Sequence, residues 1–589
     1  MEAPKNKLNP RLLKRIFSYS KPYKWLFGLS VLFTIALSAL AITRPLLISK
    51  TLNEAVIEKK STDLLNYYCL LILGLMTLEA LIQFTNTNLS NILGQNIVKD
   101  LRNQIFRHIL KFKNAYFDRS PVGTMVTRAI SDIESLNNVF SEGFILISGD
   151  LLMLGVFVSV MLWKNWVLAL LVFSTIPILL IATHFFKRGI KKTFNEVRNA
   201  VSALNTFTQE RLTGMKIVQL FNKEEQELDK FKSINKQHRE ANIRSIFYYS
   251  VFFPIVEILS SISIALLIWF AGINYSSLNI SLGDLTFFIM LTHMMFRPIR
   301  MLADRLNTLQ MGIVSADRVF KVLDTQEVIK DDGAHNLDRI HESIEFKKVN
   351  FSYSENHPVL KEMSFTIKSG QTVAFVGETG SGKSTLINLL GRFYEYDEGE
   401  ILIDGKNIRD YRLASLRKNT AIVLQDVFLF NDSVLNNISL YNSEITREMI
   451  EKASEEIGLK EFILSLSGGL DYQVTERGMG LSAGQRQLIS FIRAYVYNPQ
   501  VFVLDEATAS IDTPTEILIQ KAAEKLSKGR TSIIIAHRLS TIKNADKIFV
   551  LENGRIVEEG NVNELITLNG KFKSFYEAQT RHEGEIEVL

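Results

Sequence analysis

Two domains in series are predicted: an α-helical membrane domain of six spans over residues 1–324 and, after a linker at 325–343, a soluble α/β domain over 344–589. Three observations carry this reading. Long apolar runs crowd the first 320 residues and then stop, although apolar side chains make up 47% of the whole chain. The loops between those runs are alternately rich and poor in Lys and Arg. An apolar strand, a glycine-rich loop and a helix succeed one another between Val373 and Leu390. The length, 589 residues, also exceeds one ordinary domain.

A bilayer core needs roughly 20 apolar residues per helix. Six stretches supply them, at about 25–47, 64–85, 144–163, 166–186, 246–272 and 284–305. The third and fourth are separated only by Trp163-Lys164-Asn165-Trp166, which suits a tight turn. A large soluble core would not account for six runs of this length. The first run is too long for the apolar region of a signal peptide, so no cleavable leader is expected. Residues 1–24 carry seven Lys and Arg, and 86–142 and 187–245 are also basic, whereas 273–283 has none. By the positive-inside rule the N-terminus, both long loops and the C-terminal domain lie in the cytoplasm. Trp25, Trp163, Trp166 and Trp269 all fall at span ends, where amphipathic rings sit at the membrane interface. The net charge of +5 is small for this length, and no nucleic-acid partner is expected. The single cysteine, Cys69, lies in an apolar run and reads as a buried, inert thiol.

The two long cytoplasmic segments show helical spacing, as in Ile97, Val98, Leu101, Ile105 and Ile109. Folded as helical hairpins, their arms of about 28 residues reach ~40 Å from the membrane. The tips fall near Asn114 and Lys216, where contacts with the second domain are expected. Within the spans, Glu79, Asp150 and Glu257 are costly acids, either cavity groups that favour cations or structural partners of Arg. Phe287, Met290, Met294 and Met295 on the last span suit either an adaptable substrate surface or plain helix packing. Arg297 and Arg300 nearby suit an anionic headgroup.

In the second domain, Gly377-Glu378-Thr379-Gly380-Ser381-Gly382-Lys383-Ser384-Thr385 fits the phosphate-binding P-loop. It follows the strand Val373–Val376 and opens a helix, the setting its chemistry requires. Glycines let successive N–H groups face phosphate, the helix N-terminus favours anions, Lys383 brings a cation to the β- and γ-phosphates, and the Ser384 hydroxyl can ligate Mg²⁺. Val501–Leu504 reads as a buried strand ending in Asp505-Glu506. Beside a P-loop, Asp505 can hold Mg²⁺ and Glu506 can polarise the attacking water. The fold expected here is therefore an α/β P-loop NTPase, with ATP and Mg²⁺ as cofactors.

With Leu481-Ser482-Ala483-Gly484-Gln485 added, close to Leu-Ser-Gly-Gly-Gln, nearly the whole chain resembles the bacterial ABC exporters, a group that includes the lipid A flippase and multidrug half-transporters. The resemblance implies that Tyr353 stacks on adenine, that Gln425 senses Mg²⁺, that Asp512 contacts the opposing subunit and that His537 holds the γ-phosphate. It implies that Ser482, Gly484 and Gln485 face ATP bound to the other subunit, so that the site is complete only in a dimer. Phe117-Asp118 with Pro121, and Glu210 through Asn222, resemble the two coupling regions, and Thr475–Gly478 the loop that meets them. The implied location is the bacterial cytoplasmic membrane, among membrane lipids. The implied activity is ATP-driven export of hydrophobic or amphipathic small molecules by alternating access; the acids and methionines of the spans favour hydrophobic or cationic drug-like compounds, with lipid flipping as the near alternative. An ATP-gated channel or regulatory protein is the competing class, which Glu506 and His537 argue against. Ala483 departs from the first signature glycine, and both a homodimer and a heterodimer with a second half-transporter stay open.

Overall fold

The computed structural model describes residues 10–274, 280–354, 357–505, 511–536 and 542–586. By contacts the chain forms two compact units, Met1–Leu110 with Val122–Gln326, and Lys111–Pro121 with Glu327–Leu589.

The first unit is helical. Five helical stretches among the described residues are long and apolar enough to cross a membrane: Lys21–Glu58, Thr62–Ile109, Ile145–Lys164, Trp166–Thr213 and Glu224–Ile273. A further helix, Leu282–Asp324, covers the region of the last expected span. Local chemistry sets their ends. Ser61 accepts from the Leu64 N–H, and Ser281 forms a reciprocal capping box with Asp284. The turn expected at Lys164-Asn165 is made by Asn165, extended at φ −159°, whose side chain accepts from the N–H groups of Val167 and Leu168 at 3.1 Å. Spans and hairpin arms are not separate elements. Thr62–Ile109 runs unbroken for 48 residues, because neither Gly74 nor Gly94 interrupts a strong helical pattern.

The core of this unit joins Phe157, Met161, Leu168, Phe252, Leu267 and Phe287. Phe287 and Met295 thus serve helix packing, whereas Met294 also lines a cavity of about 330 Å³. All four tryptophans are exposed, as are Leu70, Leu73 and Phe84 on the outer face of one span. Cys69 corrects the sequence reading: it is exposed, because helix rotation turns it outward beside Leu70 while Tyr68 is buried.

The two readings left open for the acids divide among them. Asp150 and Glu79 line the cavity together with Arg44, Arg297 and Arg305, but Glu257 is exposed and is not among the lining residues. Asp150 is bound by Arg305. Asp150→Asn should therefore leave the partly buried Arg305 guanidinium with the Leu146 carbonyl (3.4 Å) as its only partner among the described residues and cost about 2 kcal/mol, with Arg305→Gln in the same chain recovering most of the loss. Thermal unfolding of the two variants in one lipid environment checks this. A double variant no more stable than Asp150→Asn would show that the pair is not the source of the loss.

The second unit holds two sheets. Strands β1 (Ser343–Ser352), β2 (Pro358–Lys368), β4 (Glu398–Ile403) and β5 (Lys406–Asn407) form an antiparallel sheet in the order β2-β1-β4-β5. Strands β3 (Thr372–Val376), β6 (Thr420–Val423), β7 (Val501–Asp505), β8 (Thr531–Ile535), β9 (Lys547–Glu552) and β10 (Arg555–Gly560) form the second, in the order β10-β9-β3-β8-β7-β6. All of its pairings but β10–β9 are parallel. Parallel strands need cover on both faces. Accordingly Val373 and Phe375 pack with the antiparallel sheet, while Ala374 and Val376 pack with the helices around Leu488, Phe491 and Ile519. The carboxyl ends of β3, β6, β7 and β8 consequently lie along one edge, the usual position of a ligand crevice in such sheets.

Candidate functional site: a phosphate-binding loop and its flanking caps

Gly377–Thr385 leaves β3 and enters the helix Lys383–Leu390. Gly382 has φ +105°, and a Cβ there would lie 2.7 Å from Leu360 Cδ2, so glycine is required. Nothing lies within 4 Å of a Cβ built at Gly380, so the outer side of the loop is open. Lys383 is buried, and its Nζ donates to the carbonyls of Gly377 (2.7 Å) and Glu378 (2.9 Å). Burial pulls its pKa below the usual lysine range, and the charge of Asp505 opposes that shift. The Ser381 Oγ is buried without a hydrogen-bond partner among the described residues. An open cradle with an orphaned hydroxyl and a buried lysine held by loop carbonyls fits a polyphosphate and its metal. Ser384 and Thr379 face outward, and Thr385 is buried and accepts from the Tyr353 hydroxyl at 3.2 Å.

The remaining predicted residues sit around this edge. Asp505 ends β7, and Gln425 is exposed just beyond β6. Tyr353 is 45% exposed, with its hydroxyl held by Thr385 and by Asn388 Nδ2 (3.0 Å), which leaves ring surface for a base. Glu506 and His537 lie outside the described residues.

Ser482 is the N-cap of the helix Ala483–Val496 in a capping box with Gln485: the Gln485 N–H reaches Ser482 Oγ at 3.1 Å, and the Ser482 N–H reaches Gln485 Oε1 at 2.9 Å. The Gln485 side chain is therefore turned back onto its own helix. Ala483, the residue that departs from the signature, is exposed and has negative φ, so its methyl group strains nothing. Gly484 is different: it is buried, and a Cβ there would meet Thr515 Cγ2 at 2.5 Å. Asp512 caps the next helix, accepting from the Thr515 N–H (3.1 Å) and Oγ1 (2.8 Å); these bonds hold its carboxyl below the usual range.

Sequence reasoning missed Arg493, which is partly buried in the signature helix and donates to the Asn437 carbonyl at 2.8 Å. It missed Arg44 and Arg305 in the membrane cavity, and also Asn388 and Tyr394 beside Tyr353. Each arginine stands in an ordinary helical pattern, and the partners that matter are distant in sequence.

Comparison with known proteins agrees with this architecture. The ABC transporter transmembrane region is matched over residues 27–299 and the ABC transporter ATPase region over 360–509. A probable multidrug resistance ABC transporter ATP-binding/permease protein of Bacillus subtilis is 36% identical over 86% of this chain and 76% of its own length. An ATP-dependent lipid A-core flippase of Syntrophus aciditrophicus is 34% identical, over 97% of this chain and 95% of its own. Among solved structures, a bacterial Atm1-family ABC exporter with ATP bound superposes with a TM-score of 0.78 at 24% identity, covering 97% of this chain and 99% of that one. With a membrane domain and a nucleotide-binding ATPase fused in one polypeptide, the chain belongs to the ABC transporters as a multi-pass half-transporter of the exporter type, which dimerises and couples ATP hydrolysis to export or flipping.

Proposed function

We propose that two copies of this chain, set in the bacterial cytoplasmic membrane with their hairpin tips and ATPase domains in the cytoplasm, move amphipathic molecules outward by alternating access. Charge asymmetry between the loops supports the orientation. In each site Tyr353 stacks on the base, the P-loop amides from Gly377 to Thr385 hold the phosphates, and Lys383 exchanges its loop carbonyls for phosphate oxygen. Mg²⁺, held by Ser384, Gln425 and Asp505, would offset the phosphate charge. Glu506 takes the proton of the attacking water, His537 steadies the γ-phosphate, and the opposite copy completes the site with Ser482 and Gly484. The strain-free Ala483 supports a homodimer competent at both sites. The tip helix of the second hairpin, Met215–Leu220, and its flanks carry Leu212, Ile217, Leu220 and Phe221, each at least 64% exposed, an apolar patch suited to the partner's ATPase domain.

One observation favours a particular substrate. Glu79 and Asp150 share the cavity with Arg44, Arg297 and Arg305, two acids against three guanidiniums, and Arg305 is the one paired with Asp150. Arg44 contacts only the Met294 sulfur, at 3.9 Å, among the described residues, and its Nε is buried without a partner. An unpaired guanidinium inside a membrane domain is costly, and an anionic headgroup offsets that cost. This reverses the cation preference expected from the acids: lipid-like amphiphiles with an acidic head fit better than cationic drugs.

The test is the chain alone, purified in phosphatidylcholine nanodiscs, with mass and ATPase measured against lysophosphatidic acid and dodecyltrimethylammonium. A dimer stimulated at least threefold by the anion, with the stimulation lost in Arg44→Gln, is the expected result. Equal stimulation by both probes would remove the charge preference, and an inactive monomer would show that a different partner chain is required.

A further inference from the structure

The first hairpin tip belongs to the ATPase unit, and two sets of contacts hold it there. One is backbone: the Lys113 N–H donates to the Glu327 carbonyl (2.9 Å), the Ile329 N–H donates to the Lys111 carbonyl (3.3 Å), and Arg119 pairs with Glu327 at 2.6 Å. The buried Arg392 then ties the same stretch to the domain through the Lys330 carbonyl at 3.1 Å. The other set points at the nucleotide. Tyr394, at the end of the turn that follows the P-loop helix, donates its hydroxyl to Asp118 on the tip helix Asn114–Arg119. The edge of its ring meets Tyr353, with centroids 5.0 Å apart and planes at 87°. Tyr353 is in turn held by Thr385 and Asn388, both on the P-loop helix.

This chain of contacts has a physical direction. The Tyr353 ring is half exposed and gains its missing packing surface only when a base stacks on it. Pinning that ring pins the edge-on Tyr394, and Tyr394 has little freedom of its own. Its turn is fixed by Arg392 at φ +48°, whose guanidinium bonds the carbonyls of Ile408 (3.4 Å) and Tyr411 (3.3 Å). Burial and the neighbouring Asp118 carboxylate push the Tyr394 hydroxyl far above its ordinary range, so it remains a protonated donor. Asp118 is exposed and has no other hydrogen bond or ion pair among the described residues, which leaves the Tyr394 hydroxyl as its anchor.

We propose that Tyr394 is a positioning residue: through its ring on Tyr353 and its hydroxyl on Asp118, it makes the order of the first hairpin tip depend on whether a purine base occupies the nucleotide site. This rests on the assignment of Tyr353 as the base platform. It adds a route from the base to the hairpin tip that does not pass through Gln425 or the phosphates.

Hydrogen–deuterium exchange of the full-length protein in nanodiscs tests it, with AMP-PNP and base-free ribose 5-triphosphate as probes, each saturating. In the unaltered chain AMP-PNP should slow exchange of residues 112–119 at least fivefold, and the base-free probe less than twofold, while both protect the P-loop peptide 377–390. In Tyr394→Phe, and separately in Asp118→Ala, AMP-PNP should still protect 377–390 but leave 112–119 within twofold of the unliganded rate. The double variant should behave as either single one does. Tip protection that survives both substitutions, or that the base-free probe reproduces, would overturn the proposal. So would loss of P-loop protection in Tyr394→Phe, which would make the residue merely structural. Tyr353→Ala separates the two readings: unchanged AMP-PNP affinity would remove the base platform, while the Tyr394–Asp118 link is still decided by the other variants.

Discussion

Glu506→Gln is expected to lower steady-state ATP turnover at least a hundredfold while leaving ATP affinity within about threefold. The residue directly follows β7, whose terminal Asp505 lies close enough to Lys383 to act on its charge. The parallel order β3-β8-β7 puts the carboxyl end of β7 on the same sheet edge as the start of the P-loop. A carboxylate there can accept a proton from water and an amide cannot, yet the two have nearly the same shape. Binding, which depends on the loop amides, Lys383 and Tyr353, is untouched by the exchange. Turnover within threefold of the unaltered protein would remove Glu506 as the base, and a matching loss of affinity would point to a binding role instead.

Gly484→Ala is expected to lower turnover at least tenfold, while Ala483→Gly, one residue away, changes it less than twofold. The contrast comes from packing. At Gly484 a new Cβ would lie 2.5 Å from Thr515 Cγ2 and 3.0 Å from Ile511 Cγ2, so the helix Ala483–Val496 must move away from the helix Thr513–Ser527. Overpacking of this kind costs about 1–3 kcal/mol and shifts the Ser482 cap with it. At position 483 the side chain is exposed and the backbone helical, so removing a methyl group alters only local helix propensity. ATPase rates and thermal unfolding of the two variants check the claim. If Gly484→Ala retained full turnover, the placement of this helix would not limit the reaction.

These two positions show what was legible and what was not. The P-loop, Asp505 and the capped signature helix could be read directly, because each is a local string whose chemistry depends on neighbours in sequence. So could the apolar runs, since span length is fixed by the bilayer. The charge character of the cavity could not be read. Glu79 and Asp150 read in their own helices as either cation sites or partners of an unnamed Arg, and only the fold brings Arg44, Arg297 and Arg305 to them, Arg305 from 155 residues beyond Asp150. The outward turn of Cys69 escaped for a related reason, since an apolar run buried on no particular side gives no amphipathic phase. Gln485 and Asp512 suit a ligand by residue type, and the structure shows both also spending their side chains on helix caps.

The second hairpin has a consequence for how such a chain can change in length. Ile176–Thr213 and Glu224–Ile273 each run without interruption from the apolar span to the tip helix, and they grip one another through the stacked rings of Phe186 and Phe252 (4.1 Å) and the Arg244–Glu196 pair (3.0 Å). A helix turns about 100° per residue, so a single inserted residue would swing the tip a quarter-turn or more and lift it ~1.5 Å. Steps of about seven or eleven residues return the tip to within ~20° of the same azimuth. Because the arms are zipped together, the same step must occur in both. The length of this hairpin is therefore quantised: a single-residue insertion or deletion misplaces the tip, whereas paired steps of about seven or eleven residues keep its azimuth.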